Sequence, residues 1–279
     1  MKLQPIVFGD ADAPLFGIVT PATPSTAIDR GVLICAPIGF ENVLHYRHLR
    51  VLARRLGESG RATLRFDWPA CGDSSGDDSD PGLVAAWTQS VSDAAATLRE
   101  RTGVSVVDVV GVRIGATLAA LAAAADRTIG DLVLWAPFTS GRSYVREMRA
   151  FHRLAENTLP NRRSAEVAVD GQEISGFLLA TTTLDDLDRV DLLATEAIIR
   201  QARALNPDIH VIVRAPATGD VGGLNARGAD EVVQPEFEAG MEFVRQVLRW
   251  QGIGEAATDD VVAMRREAVY DAPSRKTTG

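Results

Sequence analysis

The chain has 279 residues, 46% of them hydrophobic, and a formal net charge of −8. That length suffices for one large α/β domain or two smaller ones with a substantial core, and the acidic balance argues against a nucleic-acid surface, which needs clustered cations. No apolar run reaches the ~18 residues of a membrane span, and Met1-Lys2-Leu3-Gln4-Pro5 opens no signal-peptide hydrophobic region, so a cytoplasmic protein not embedded in a membrane is expected. Cys35, in an apolar run, and Cys71, in a glycine-rich loop, form neither a zinc pattern nor a disulfide framework and read as packed thiols.

In chain order, Ile6-Val7-Phe8 and Leu15-Phe16-Gly17-Ile18-Val19 flank a turn cluster and predict an antiparallel hairpin. Gly31 to Ala36 reads as a fully buried strand with Pro37-Ile38-Gly39-Phe40-Glu41 as the loop at its carboxyl end. An amphipathic helix follows from His48 to Ser59, with Leu49, Leu52, Ala53 and Leu56 on one face and Gly60 as its stop. Ala62 to Asp67 is the next strand, opening into Trp68-Pro69-Ala70-Cys71-Gly72-Asp73-Ser74-Ser75-Gly76, and a helix runs from about Asp80 to Thr102. Asp131 to Pro137 is a further buried strand, Arg142 to Asn157 a helix, and Ala165 to Leu179 a hairpin broken at Asp170-Gly171. Short apolar strands alternating with helices call for an α/β fold, a mostly parallel sheet with helices on both faces.

The stretch around which these elements arrange themselves is Val106 to Leu121. A β-branched run ends in Gly111-Val112-Arg113-Ile114-Gly115 and passes straight into an alanine-rich helix, the strand, sharp turn and helix of a nucleophile elbow. The two glycines let strand and helix approach closely, while the residue between them sits strained and exposed at the helix N-terminus. A serine would be the nucleophile there. Arg113 cannot be one, because a guanidinium stays protonated and offers donors only.

The loop from Phe66 to Gly76, this elbow, and Leu134-Trp135-Ala136-Pro137-Phe138-Thr139-Ser140-Gly141-Arg142-Ser143-Tyr144 together resemble the serine-aminopeptidase-like α/β hydrolases. Within these they are most similar to the exosortase-associated hydrolase group, some members of which carry Gly-x-Arg-x-Gly at the elbow. The resemblance spans residues 1–193 and implies a cap over about 137–193. It also implies oxyanion donors at the backbone amides of Ile114 and of the Ile38–Gly39 turn, which survive any side-chain change. With Arg113 go the other ligand-binding candidates, Gly111, Gly115, Asp67 and Asp73; the last two read as fixing their own loop rather than as acid and base, and are also able to sequester the arginine as an internal counter-ion.

After Leu193 the pattern changes. Thr195 to Leu205 reads as a helix, and Ile209 to Ala215 as a strand. Gly228-Ala229-Asp230-Glu231-Val232-Val233-Gln234-Pro235-Glu236-Phe237-Glu238-Ala239-Gly240, with a helix to Trp250, resembles the last third of a regulator-of-potassium-conductance domain. Such Rossmann-type domains serve bacterial potassium-uptake regulators and cation:proton antiporters, and Met264 to Tyr270 is similar to the segment that follows the domain in antiporters. Residues 194–253 are therefore expected to complete the sheet with Rossmann-like last strands, the rival being two domains joined near Leu193, and 254–279 to form a tail. The Gly-x-Gly-x-x-Gly phosphate turn of that family is missing, and Gly219-Asp220-Val221-Gly222-Gly223 is misplaced for one, so no nucleotide or other cofactor is expected.

A hydrolase also needs an acid after its penultimate strand and a histidine after its last. Those places hold Asp220 and Gln234-Pro235-Glu236. His45 and His48 read as surface or helix-start residues, His152 belongs to the cap and His210 starts a strand. Ser74, Ser75, Ser140 and Ser143 lie on loops with turn and cap duties. Three readings follow. The first is a hydrolase-like protein with little or no triad hydrolysis, whose Arg113 at a helix N-terminus suits a small anionic ligand. The second is a regulatory module of a potassium or cation:proton transport system, its C-terminal part meeting a membrane transporter or a second copy. The third is a join of two gene fragments with no evolved joint function.

Overall fold

The computed structural model describes residues 2–23, 27–138, 140–158, 170–174, 177–190, 210–214, 228–251 and 253–270. The chain divides into two compact units, Met1–Ile209 and His210–Gly279. The stretch 191–209, with the expected helix from Thr195, lies outside the described residues.

In the first unit, β1 (Gln4–Gly9) and β2 (Pro14–Thr20) form the expected antiparallel hairpin. Next come β3 (Arg30–Cys35), α1 (Phe40–Glu58), β4 (Thr63–Phe66), α2 (Leu83–Thr102), β5 (Val106–Val112), α3 (Ile114–Ala125) and β6 (Ile129–Trp135). The strand order is β1-β2-β4-β3-β5-β6, antiparallel at β1-β2 and β2-β4 and parallel from β4 onward. The α/β class with a mostly parallel sheet is thus what the sequence pattern predicts. Apolar alternation explains the layers, because successive strand residues point to opposite faces. Val32 and Ile34 pack with Val110 and Val112 against Leu49, Ala53 and Leu56 of α1, while a side chain at Gly31 would point at Leu98 of α2.

Helix α1 starts at Phe40 rather than His48, so Glu41 belongs to its first turn and not to a loop. Its buried residues are Leu49, Ala53 and Gly57; the first two turns expose Val43 and Leu44. Apolar periodicity therefore begins about halfway along, at Leu49, and the sequence signal begins with it. Past β6 come α4 (Gly141–Thr158), the antiparallel pair β7 (Gly171–Ile174) and β8 (Phe177–Ala180), and α5 (Thr181–Arg189). The hairpin does not break at Asp170-Gly171. Gly171 pairs with Ala180 inside the ladder, whose other end is the pair Ile174 and Phe177, and a Cβ on Gly171 would meet the Leu179 carbonyl oxygen at 2.6 Å, so this glycine serves close pairing. Ala165 to Val169 lie outside the described residues.

In the second unit, β9 (Val211–Arg214) and β10 (Glu231–Val233) pair in parallel. They are followed by α6 (Pro235–Trp250) and α7 (Glu255–Tyr270). Of the expected tail, Glu255–Tyr270 is helical and held to α6 by Arg249–Glu255 at 2.6 Å, Arg245–Asp259 at 3.3 Å and the Arg266–Glu238 ion pair, and 271–279 lie outside the described residues. Among the described residues no helix is long and apolar enough to cross a membrane.

Candidate functional site

The elbow is built from backbone constraints. One residue, Arg113, separates the last residue of β5 from the first of α3. Its φ of 58° and ψ of −124° place a side-chain-bearing residue in a region that L-residues rarely adopt. The amide of Arg113 donates to the Trp135 carbonyl at 2.8 Å, which fixes the turn to β6. A Cβ on Gly111 would run into the backbone of Ala116, and one on Gly115 into the carbonyls of Cys35 and Ala36. Only glycine fits at either position. The sharp turn is therefore present in full, with arginine at its apex.

The guanidinium is held on two edges and one face. Its Nε donates to Glu41 Oε1 at 2.6 Å and its Nη2 to Glu147 Oε1 at 2.5 Å. Its carbon lies 4.1 Å from the centroid of the Phe138 ring, against which the buried Tyr144 ring packs at 4.3 Å. The Arg113 side chain is 22% exposed, Glu41 25% and Glu147 57%, so the first pair is the sheltered one. Burial opposes the charge on Arg113, yet Glu41 and then Glu147 outweigh it and raise the guanidinium pKa. Burial, with the field of Glu41, pushes the Tyr144 phenol up as well. One cation between two carboxylates leaves a local excess of one negative charge, and the enclosed Glu41 Oε2 accepts no hydrogen bond.

The counter-ions are thus Glu41 and Glu147, not Asp67 or Asp73. Asp67 instead organises the loop after β4: its Oδ2 accepts the Asp73 amide at 3.1 Å, and its carbonyl accepts the Ser74 hydroxyl at 2.6 Å. Ser74 Oγ in turn accepts the Phe16 amide at 2.9 Å, which is a turn duty. Cys71 in this loop is driven up to about 12 by burial, so it stays a thiol. Glu41 was hidden because the sequence reads as loop where α1 begins. Glu147 was hidden because its partner lies 34 residues away on another element.

Of the backbone donors, Ile114 opens α3 and is buried. Ile38 and Gly39 precede α1, where Gly39, at φ 62°, accepts the Asn42 amide at 3.0 Å. The Phe177 ring of β8 lies 3.5 Å from where a Gly39 Cβ would be, so the segment after β6 covers this turn. His45 Nδ1 is 2.7 Å from the Glu41 carbonyl within α1, and His210 Nε2 is 3.2 Å from Glu231 in the second unit. Asp220, Gly219 and Gly222 lie outside the described residues. Among the described residues no group of histidine, cysteine or carboxylate side chains is placed to hold a metal.

No family model matches the chain. Among solved structures, it is similar to Est1E of Butyrivibrio proteoclasticus, seen with ferulic acid, at 16% identity and a TM-score of 0.57 over 82% of this chain and 87% of that one. An esterase of Pyrococcus furiosus is similar at 13% identity and a TM-score of 0.50, over 76% of this chain and 70% of the esterase. At these identities the likeness is one of fold, that of the α/β hydrolases. A different likeness fits the C-terminal part: a K(+) efflux antiporter, KefB, of Alkalimonas amylolytica is 32% identical over 112 residues, 38% of this chain. The match spans only 17% of the antiporter's length.

Proposed function

We propose that this chain is a hydrolase-fold protein without triad hydrolysis, in which the elbow serves as the seat of an internal ion-paired plug. The observation that carries this reading is Arg113 at the elbow apex with its guanidinium held by Glu41 and Glu147. The parts that make such an elbow attractive to anions, a helix N-terminus and a guanidinium, face two carboxylates of the chain itself. A small anion must displace one of them, and the excess negative charge resists it. This weighs against the elbow as an anion site and favours the plug. Restoring serine would not restore chemistry, because an alcohol needs an adjacent base and an orienting partner before it attacks.

The test is hydrolysis of 4-nitrophenyl acetate and butyrate by the full chain and by Arg113→Ser. Both are expected to match the rate of a buffer blank. Turnover that disappears on substituting Ser74 or Ser140 would overturn the reading.

The partial likeness to an antiporter favours a second reading for the C-terminal part, a regulatory module of a potassium or cation:proton transport system. Under it, adding the full chain to proteoliposomes bearing the host's antiporter changes the potassium efflux rate, and an unchanged rate removes this reading.

A further inference from the structure

A concavity of about 280 Å³ lies between α1 and the sheet and shares no residue with the cluster around Arg113. Its floor contains a cation in an unusual place. In the ladder, Arg65 of β4 stands between Ile18 of β2 and Ile34 of β3, its register partners on either side. These three, with Leu49 of α1, line the same hollow. Such a row calls for a third aliphatic residue, since a guanidinium taken from water needs a counter-charge or acceptors to offset its lost hydration. Arg65 is only 8% exposed. Its Nε is enclosed without a hydrogen-bond partner, and its flat face lies 5.5 Å from the Tyr46 ring. By contrast, Arg30, Arg113, Arg245 and Arg266 all have carboxylates within ion-pair distance.

The remaining lining narrows what the missing acceptor can be. Phe16, Phe66 and Tyr46 add aromatic wall to the aliphatic floor, while Asp67 and Asp73 stand at the loop after β4. A guanidinium presents parallel donors that match a carboxylate. Asp67 and Asp73 repel any anion here, a phosphate dianion more than a monocarboxylate, and Asp67 also feels the charge of Arg65; but unlike Glu41 and Glu147 at Arg113, neither is hydrogen-bonded to the guanidinium, so an incoming carboxylate displaces no internal partner. The volume is just below the range of about 300–1,000 Å³ usual for small-molecule sites, so the body must be compact.

We propose that the hollow under α1 is a binding site for a small monocarboxylate with a flat or apolar body, its carboxylate on Arg65 and its body against Phe16, Ile18, Ile34 and Leu49. This site is independent of the elbow and of whatever the elbow does. It gives the buried arginine a reason to be retained where methionine would pack at least as well.

The test uses the full-length chain labelled with nitrogen-15, with phenylacetate and benzoate as probes. The side-chain Nε–H resonance of Arg65, identified by its loss in Arg65→Met, reports directly on the proposed contact. Saturable movement of that resonance with either acid is expected. It should be absent with 2-phenylethanol, which has a similar body and no carboxylate, and with inorganic phosphate. Calorimetry should show binding weakened roughly ten- to a hundredfold in Arg65→Met, the loss of charge-assisted hydrogen bonds, and unchanged in Arg245→Met, a change in the second unit. Should Arg65→Met fail to fold, Arg65→Lys, which keeps the charge and loses the fork, serves for both assignment and affinity. A resonance unmoved by millimolar concentrations of both acids, or equal affinity in the wild type and the Arg65 variant, overturns the proposal.

Discussion

Forcing a residue with a Cβ to φ 58° costs about 1–3 kcal/mol, and Arg113 meets that cost with contacts that differ in worth. The Glu41 pair is sheltered on both sides, whereas Glu147 is mostly in water. A charge-assisted hydrogen bond contributes about 1.5–3 kcal/mol when sheltered, and an exposed ion pair roughly 0–1 kcal/mol. Glu41→Gln is therefore expected to lower the unfolding free energy by about 1–3 kcal/mol and Glu147→Gln by less than about 1 kcal/mol. Urea denaturation of the two variants checks the order, and equal losses would mean that shelter does not govern the cluster. Asp67 gives a pH-dependent prediction. Burial raises its carboxyl pKa, aided by the charge of Asp73 and opposed by the Asp73 amide and by Arg65. The stability associated with its neutral form is whole below the ordinary value of 3.8 and is lost as pH rises through the raised folded value. Asp67→Asn keeps an acceptor for the Asp73 amide and cannot ionise. Its stability relative to wild type should grow as pH rises from below 3.8 toward neutrality, and a difference that is flat with pH would contradict the assignment.

At the scale of elements, the elbow depends on how closely α3 approaches β3. A methyl group at Gly115 meets two backbone carbonyl oxygens that cannot swing aside. Gly115→Ala should cost at least about 1–3 kcal/mol in urea denaturation, as overpacking does, while alanine at Gly240, in open space on α6, should be neutral or stabilising. A tolerated Gly115→Ala would mean that the strand-to-helix approach is looser than described. The same physics decides what could be read from residues in order. The elbow was legible because a β-branched strand, two glycines and an alanine helix coincide between Val106 and Leu121. The first turns of α1 were not, since they bury no apolar residue, and with them went Glu41, the main counter-ion of Arg113. Helix α5 was hidden by Thr181-Thr182-Thr183, three β-branched residues that disfavour helix, although Thr183, Leu184 and Leu187 are buried at helical spacing. Arg65 was legible only as part of a strand. That its neighbours across the ladder are both isoleucine is a property of register, which no single segment displays.

At the scale of the whole molecule, the first unit has the fold of hydrolases and the C-terminal part has a likeness to a fragment of an antiporter. The sequence has arginine where such an elbow would carry serine, and it has no Gly-x-Gly-x-x-Gly phosphate turn of the kind that the resemblance of the C-terminal part to a regulator-of-potassium-conductance domain would call for. Titration of the full chain with NADH or ATP should therefore show no saturable heat, and micromolar binding abolished by changing Gly219 or Gly222 would contradict that expectation. The central claim concerns the elbow, and one measurement reaches it most directly. The full chain is treated with a fluorophosphonate and its intact mass recorded. Arg113 at the apex, with its donors on Glu41 and Glu147, predicts an unmodified mass at every reagent concentration. One adduct per chain, mapped by peptide sequencing to a single serine, would show an activated nucleophile and contradict the account.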